Sequence, residues 1–408
     1  MTEFAGSAAP TASLDSIVTP RSGGSPFLAP ELPGLAARLA ARFLDKPVRL
    51  GDKVIAVRHR DVCEVLRRDL DFRIAPINEA RIETVDGPFI LGMDRSDQLT
   101  RERHGLYAAL AEIDLAALID DASVQADTLL DGAPLEGAQR RIDVVAGYAR
   151  LVAGGTAQRL FGVSGPDLAT YLEVARAIFA HTFFNLTGDK VVLARAVRAS
   201  ILMRAWLNDE IARRRAGDAP LGDDLMGVLL RRAELDDDAI RRTLGGMLVG
   251  AVDTTASAVA KIVVMLGRDP NLAAKAAGDL GHAEVLMGWC REVLRRWPHN
   301  PIVLRQAATD TTLAGVAVPA GASVIAWTQA AMFDAEAFPD PPQMRPDRPA
   351  SAYLHFGGGL HPCAGRAIND RQIPMLVGKL LQRGLGKVGP VGWAGPFPAN
   401  LPVDLRTS

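Results

Sequence analysis

The chain has 408 residues, a formal net charge of −1 and 48% hydrophobic residues. This length and apolar content support a large buried core, and the even charge balance excludes the basic footprint of a nucleic-acid partner. Three scattered cysteines, Cys63, Cys290 and Cys363, make no disulfide framework and point to a reducing, cytoplasmic setting.

Residues 1–30 are rich in Ala, Ser, Pro and Gly, which predicts a flexible N-terminal arm and not a signal peptide or membrane anchor. No window reaches the roughly 18 uninterrupted apolar residues of a spanning helix, so no membrane insertion is expected. After a strand-like segment at Val48–Val57, helical periodicity dominates from Asp61 to Trp297. Cys63 and Cys290 fall within apolar helical patterns and read as core residues.

The longest predicted helix runs from an Asp236 cap to about Gly267, ahead of Pro270, about 50 Å at 1.5 Å per residue. Its middle reads Gly245-Gly-Met-Leu-Val-Gly250-Ala-Val-Asp253-Thr254-Thr255. Glycine inside a helix costs up to about 1 kcal/mol, and Asp and Thr in an apolar run add to that cost. Leu248, Val249, Val252, Val259 and Ile262 leave little of the circumference for a solvated face. A cluster retained on such terms marks a functional segment.

A further helix carries Trp289-Cys-Arg-Glu292-Val-Leu-Arg295-Arg-Trp297. Glu292 and Arg295 share one face and can pair, a pairing that serves architecture and not chemistry. Thr311–Val318 and Ser323–Trp327 read as strands around a Pro319–Gly321 turn, and Leu401–Leu405 as a last strand. Phe338–Pro349 is too proline-rich for a regular element. No long linker or internal repeat appears, so residues 31–408 are expected to form one large, mainly α domain with small β regions.

The run Phe356-Gly-Gly-Gly-Leu-His361-Pro-Cys363-Ala-Gly365 carries the chemistry. A lone cysteine in a glycine-rich turn before a helix is what a haem iron needs as a sulfur ligand. The glycines allow positive φ and close approach of a flat cofactor. A helix starting near Ala364 would favour the thiolate with its N–H groups and dipole. His361 offers an imidazole donor to an acidic group at the cofactor edge. A zinc site of His355, His361 and Cys363 lacks a fourth ligand.

Taken together these segments resemble the cytochrome P450 family, haem-thiolate monooxygenases, here of the soluble bacterial type. The run at Cys363 matches that family's Phe-x-x-Gly-x-His/Arg-x-Cys-x-Gly loop. Glu292-x-x-Arg295 matches its Glu-x-x-Arg helix, with Arg348 as the third member, and Gly250-Ala-Val-Asp253-Thr254 its oxygen-binding groove. The resemblance implies the P450 fold, with haem b between the long central helix and the helix of Cys363. It implies Cys363 as the iron ligand, and Asp253 and Thr254 as the groups delivering protons to dioxygen. Arg305, His361 and Arg103 would hold the propionates, with Phe356 beside the sulfur and Gly357, Gly365 and Ala251 among the cofactor contacts.

Three positions depart from the pattern. Leu99-Thr-Arg-Glu-Arg103 replaces His-x-x-x-Arg and loses one propionate donor. Pro374 lies inside the helix after Cys363, where proline costs about 3 kcal/mol or forces a kink. Phe333 replaces a polar residue before Asp334.

The implied reaction is insertion of one oxygen atom from O2 into a small to medium apolar substrate, in secondary metabolism or catabolism. Electrons would come from NAD(P)H through a reductase and a ferredoxin, since no Gly-x-Gly-x-x-Gly follows a strand. Arg291, Arg296, Arg366 and Arg371 would present a basic face to the ferredoxin. Substrate contacts are expected from Ala75–Leu91, Ile178–Leu186, Met247–Ala251, Pro301–Leu304 and Pro396–Leu401. The alternatives are a peroxygenase, isomerase or dehydratase needing no redox partner, which leaves the Asp253-Thr254 pair without purpose, and a haem sensor without turnover.

Overall fold

The computed structural model describes residues 14–19, 31–137, 139–395 and 397–406. Aspartates set many of the helix starts. Asp167, Asp189 and Asp236 accept from the N–H groups of Thr170, Val191 and Ala239 at 2.8, 2.7 and 2.8 Å, satisfying donors that a first turn leaves unpaired.

The helices that build the site are α1 (Ala75–Val85), α2 (Asp97–Glu112), α3 (Arg150–Phe161), α4 (Leu168–Phe179), α5 (Lys190–Ala216), α6 (Asp237–Ala251), α7 (Asp253–Arg268), α8 (Ala283–Arg296) and α9 (Arg366–Gln382). A π-turn at Ala180–Phe184 extends α4.

The central helix starts at the expected Asp236 cap but is not continuous: it breaks at Val252, between α6 and α7. The hydroxyls of Thr254 and Thr255 donate to the carbonyls of Gly250 and Ala251 at 2.5 and 2.8 Å. Back-bonding of this kind competes with the helical ladder and bends helices. Periodicity does not register it, because both halves keep their apolar faces.

The break also lies between two hydrophobic clusters. Leu244, Leu248, Val249 and Val252 belong to one with α2–α5, while Ala256–Leu266 belongs to another with α8, α9 and the C-terminal strands. The 237–268 stretch is long and apolar enough to cross a membrane, yet most of it is buried inside the fold. Its hydrophobicity is that of a core helix.

A five-stranded sheet flanks the helices in the order Val48–Leu50, Lys53–Ala56, Ser323–Ala326, Val303–Ala307, Phe72–Arg73. Only the Lys53–Ala56 and Ser323–Ala326 pair is parallel. Arg305 sits opposite Val324 in this sheet. Thr311–Val318 is itself a hairpin, folding at Ala314 and Gly315 with φ of 47° and 79°, so the expected single strand becomes two. The 338–349 stretch has no regular element, and Ala322 N–H donates to the Pro319 carbonyl at 3.1 Å, closing the expected turn.

Most of the arm expected at residues 1–30 lies outside the described residues. Within it, Leu14–Ser16 forms a 3-10 turn, Ile17 is buried, and Arg198 donates to the Ser16 carbonyl at 2.8 Å. α9 runs unbroken through the buried Pro374.

Candidate active site

Cys363 anchors a tight loop: its N–H donates to the Phe356 carbonyl at 2.8 Å. Gly357 and Gly359 take φ of 69° and 67°. A Cβ on Gly359 would lie 1.7 Å from the Leu66 carbonyl oxygen, so only glycine fits there. α9 begins at Arg366, two residues later than expected, with Gly365 as its N-cap.

The cysteine is exposed, yet burial is the main force on its thiol. Burial raises the thiol above its usual pKa, and the Gly365 N–H and Arg366 offset only part of that. The turn by itself therefore favours the thiol, contrary to expectation, and a bound metal cation would supply the missing stabilisation of the thiolate.

Three donor groups gather near this loop without an ion-pair partner of their own among the described residues. Arg305 is 5% exposed and donates only to the Leu304 carbonyl, at 2.8 Å. Burial pushes it down to about 10, with Asp94 opposing weakly. His361 is held down at about 4 by burial and by the Arg305 and Arg103 cations, so its imidazole is neutral. Arg103 leaves a buried Nε unpaired and lies 5.2 Å over the Tyr107 ring. An accessible sulfur, a glycine cradle and two guanidiniums with a neutral imidazole awaiting an acid fit a haem with its two propionates. Leu99, where a second donor was missing, is 1% exposed and spent on the core. Sequence reading missed Tyr107, whose hydroxyl donates to the Pro362 carbonyl at 3.4 Å.

The break in the central helix forms the other wall. A Cβ on Gly250 would meet nothing within 4 Å, so open space adjoins the Gly250–Thr254 hydrogen bond. Ala251 and Thr254 are half-buried.

Asp253 is 3% exposed and faces two arginines that periodicity did not single out. Its Oδ1 accepts from Arg176 Nη2 at 2.5 Å and ion-pairs with Arg150 Nε at 3.1 Å. Burial alone would raise this carboxyl, but Arg176 and Arg150 outweigh it and hold the group below the usual carboxylate value. Its Oδ2 is buried without a partner. Phe179, Phe183, Phe184 and Phe397 cluster with His299, whose Nδ1 lies 3.2 Å from Ser257 Oγ on α7. All four phenylalanines belong to segments expected to contact substrate.

Beneath the cysteine loop, Glu292 and Arg295 are both fully buried and doubly hydrogen-bonded, at 2.8 and 3.0 Å. Arg348 joins at 3.4 Å as expected. Tyr353 OH at 2.8 Å and the Arg345 N–H at 3.0 Å complete the carboxylate's shell, and neither was anticipated. Phe333 packs against the Arg295 guanidinium at 5.3 Å, which accounts for an apolar residue there.

The expected basic face is smaller than four arginines. Arg291 is buried and pairs with Asp370 at 3.1 Å, and Arg366 reaches the same carboxylate at 3.5 Å. Of the four, Arg371 alone is an exposed residue. Among the described residues no cluster of three His, Cys, Asp or Glu could hold a metal ion by itself.

The Cytochrome P450 family model matches residues 222–384. The cyclooctat-9-en-7-ol 5-monooxygenase of Streptomyces melanosporofaciens is 29% identical over 46% of this chain and 47% of its own length. The mycinamicin IV hydroxylase/epoxidase of Micromonospora griseorubida is 28% identical over 59% of each. The chain thus matches about half the length of these curated relatives. The cytochrome P450 hydroxylase LnmA, from the leinamycin pathway of Streptomyces atroolivaceus, superposes with a TM-score of 0.73 and 26% identity, covering 94% of this chain and 98% of its own. The glycine-cradled cysteine loop, the broken central helix and these likenesses agree: residues 222–384 match the cytochrome P450 family, whose cofactor is haem b on a cysteine thiolate, and the fold over most of the chain is that of solved P450s.

Proposed function

We propose that residues 31–408 act as one haem-thiolate monooxygenase domain, inserting one oxygen atom from O2 into a small to medium organic substrate by hydroxylation or epoxidation. The observation that carries this reading is the accessible Cys363 sulfur set among Arg103, Arg305 and His361. Haem held by a thiolate supplies reductive activation of O2: with two electrons and two protons, one oxygen enters the substrate and the other leaves as water.

The chain's own residues do the rest. Cys363 would hold the iron, Arg103, Arg305 and His361 would hold the acidic edge, and Phe356, Gly357 and Gly365 would lie on the sulfur side. Gly250 and Ala251, beside open space at the break in the central helix, would leave room for the ligands of the group. Thr254 presents its hydroxyl at the break, and Asp253, kept ionised by Arg176 and Arg150, can accept and pass a proton on its unpartnered Oδ2. A cytoplasmic ferredoxin fed from NAD(P)H by a reductase is the electron donor in this reading, with exposed Arg371 on its docking face. The relatives named as a cyclooctat-9-en-7-ol 5-monooxygenase and a mycinamicin IV hydroxylase/epoxidase support a monooxygenase role in secondary metabolism.

The test is the spectrum of the reduced carbon monoxide complex of the purified, haem-loaded chain. The wild type should show the red-shifted Soret band of a thiolate ligand, and Cys363→His should bind haem without it. A wild type lacking that band overturns the reading.

A further inference from the structure

The junction of α1 with the π-turn after α4 holds a cation without a counter-ion and a hydrogen-bond donor without an acceptor among the described residues. Arg81 of α1 donates through Nε to the Thr182 carbonyl at 3.1 Å and through Nη2 to Asn78 Oδ1 at 3.1 Å. Both partners are neutral. No carboxylate lies within ion-pair distance among the described residues, and burial is the sole cause found for a lowered Arg81 pKa.

Beside it, His181 is 6% exposed and its Nε2 is buried without a partner. The hydrogen-bond network decides where its proton sits. Asp189 N–H donates to Asn185 Oδ1 at 2.6 Å, and Asn185 Nδ2 donates to the Asp189 carbonyl at 2.9 Å, so the Asn185 amide is fixed in orientation. Its Nδ2 faces His181 Nδ1 at 3.1 Å, which makes Nδ1 the acceptor. The imidazole is neutral, since burial and the nearby Arg81 both lower its pKa. Its one proton is therefore on Nε2, an N–H with no acceptor among the described residues. A buried donor left unmatched is destabilising, and a part-buried cation without a counter-ion adds to that.

The same π-turn borders the reaction groove. Phe184 packs edge-on against His299, which bonds Ser257, one turn along α7 from Thr254. π-turns recur at functional sites.

We propose that Arg81 and His181 form an anion subsite that receives a carboxylate group of the substrate, so that the substrate is an organic acid with an apolar body. Arg81 supplies the charge and His181 Nε2–H the second donor, and the Asn185–Asp189 bridge orients the imidazole. The inference rests on the monooxygenase reading for calling the ligand a substrate, but binding is measured without turnover.

The experiment titrates the haem-loaded full chain by calorimetry with matched acid and alcohol pairs: dodecanoate against 1-dodecanol, and indole-3-acetate against tryptophol. At least one acid should bind about tenfold or more tightly than its alcohol. Arg81→Gln should remove that preference without changing the alcohol's affinity. His181→Phe should weaken the acid about threefold or more, a smaller loss because a neutral donor is removed. Melting curves show whether the variants fold. Acids and alcohols of equal affinity, no binding by any acid, or an Arg81→Gln loss shared by both classes overturns the subsite. A wild type without the thiolate band sinks the monooxygenase reading alone, since the calorimetric preference is read independently of it.

Discussion

Asp253 Oδ1 lies 2.5 Å from Arg176 Nη2, one residue before Thr254 and immediately after the break in the central helix. The pair binds the start of α7 to α4, and Arg150 of α3 shares the same oxygen at 3.1 Å. The groove, its acid and the helices over it are thus one electrostatic unit.

Breaking that unit should cost both stability and turnover. Asp253→Asn leaves two buried guanidiniums facing a neutral amide, and we expect a loss of about 3–5 kcal/mol in urea unfolding. A cycle with Arg176→Met should show coupling above about 1 kcal/mol. Simple additivity would mean that the two groups do not act as a pair.

Thr254 needs its hydroxyl and not merely its size. Thr254→Ala should keep NADPH consumption while product per NADPH falls about tenfold or more, and Thr254→Ser should recover most of it. An alanine variant as well coupled as the wild type removes Thr254 from proton delivery.

Glu292 is the hub below the cysteine loop, holding Arg295, Arg348, Tyr353 and the Arg345 N–H. Glu292→Ala strands buried cations and should destabilise the fold by about 3–5 kcal/mol. Chemical denaturation reads this directly, and a loss under about 1 kcal/mol would place the network's weight elsewhere.

Lys261 is 6% exposed, with the Pro298 carbonyl at 2.8 Å and the Trp297 ring at 5.3 Å as its partners. Burial pushes it from its usual 10.5 down to about 7. Between those values the unfolded chain binds a proton that the native one does not, so this residue makes stability rise with pH across the window. Lys261→Met should therefore stabilise the fold by about 1–3 kcal/mol at pH 6, with the gain shrinking toward pH 10. Melting curves across that range check the slope, and a gain independent of pH rules out the buried charge as its cause.

Much of the site was readable from residue order because its geometry is local. Gly359 must be glycine where Leu66 approaches, Cys363 follows within the same loop, and Glu292 and Arg295 are joined by helical spacing. Asp236 announced the start of the central helix by the same kind of short-range rule. Where a local reading went astray, as at Val252, a hydroxyl competing for a carbonyl four residues back altered the backbone while leaving the apolar pattern intact.

By itself, then, the order of residues determined the helical class of the fold, the cysteine loop, the buried Glu292–Arg295 pair and the position of Asp253 and Thr254. Tertiary structure alone decided what those groups face. Arg176 reaches Asp253 across 77 positions and Arg81 reaches the π-turn across 101, and no periodicity links residues so far apart. Hydrophobic spacing records which side of a helix is buried. Which charge waits across the gap, and which donor is left without an acceptor, is settled only when the helices pack.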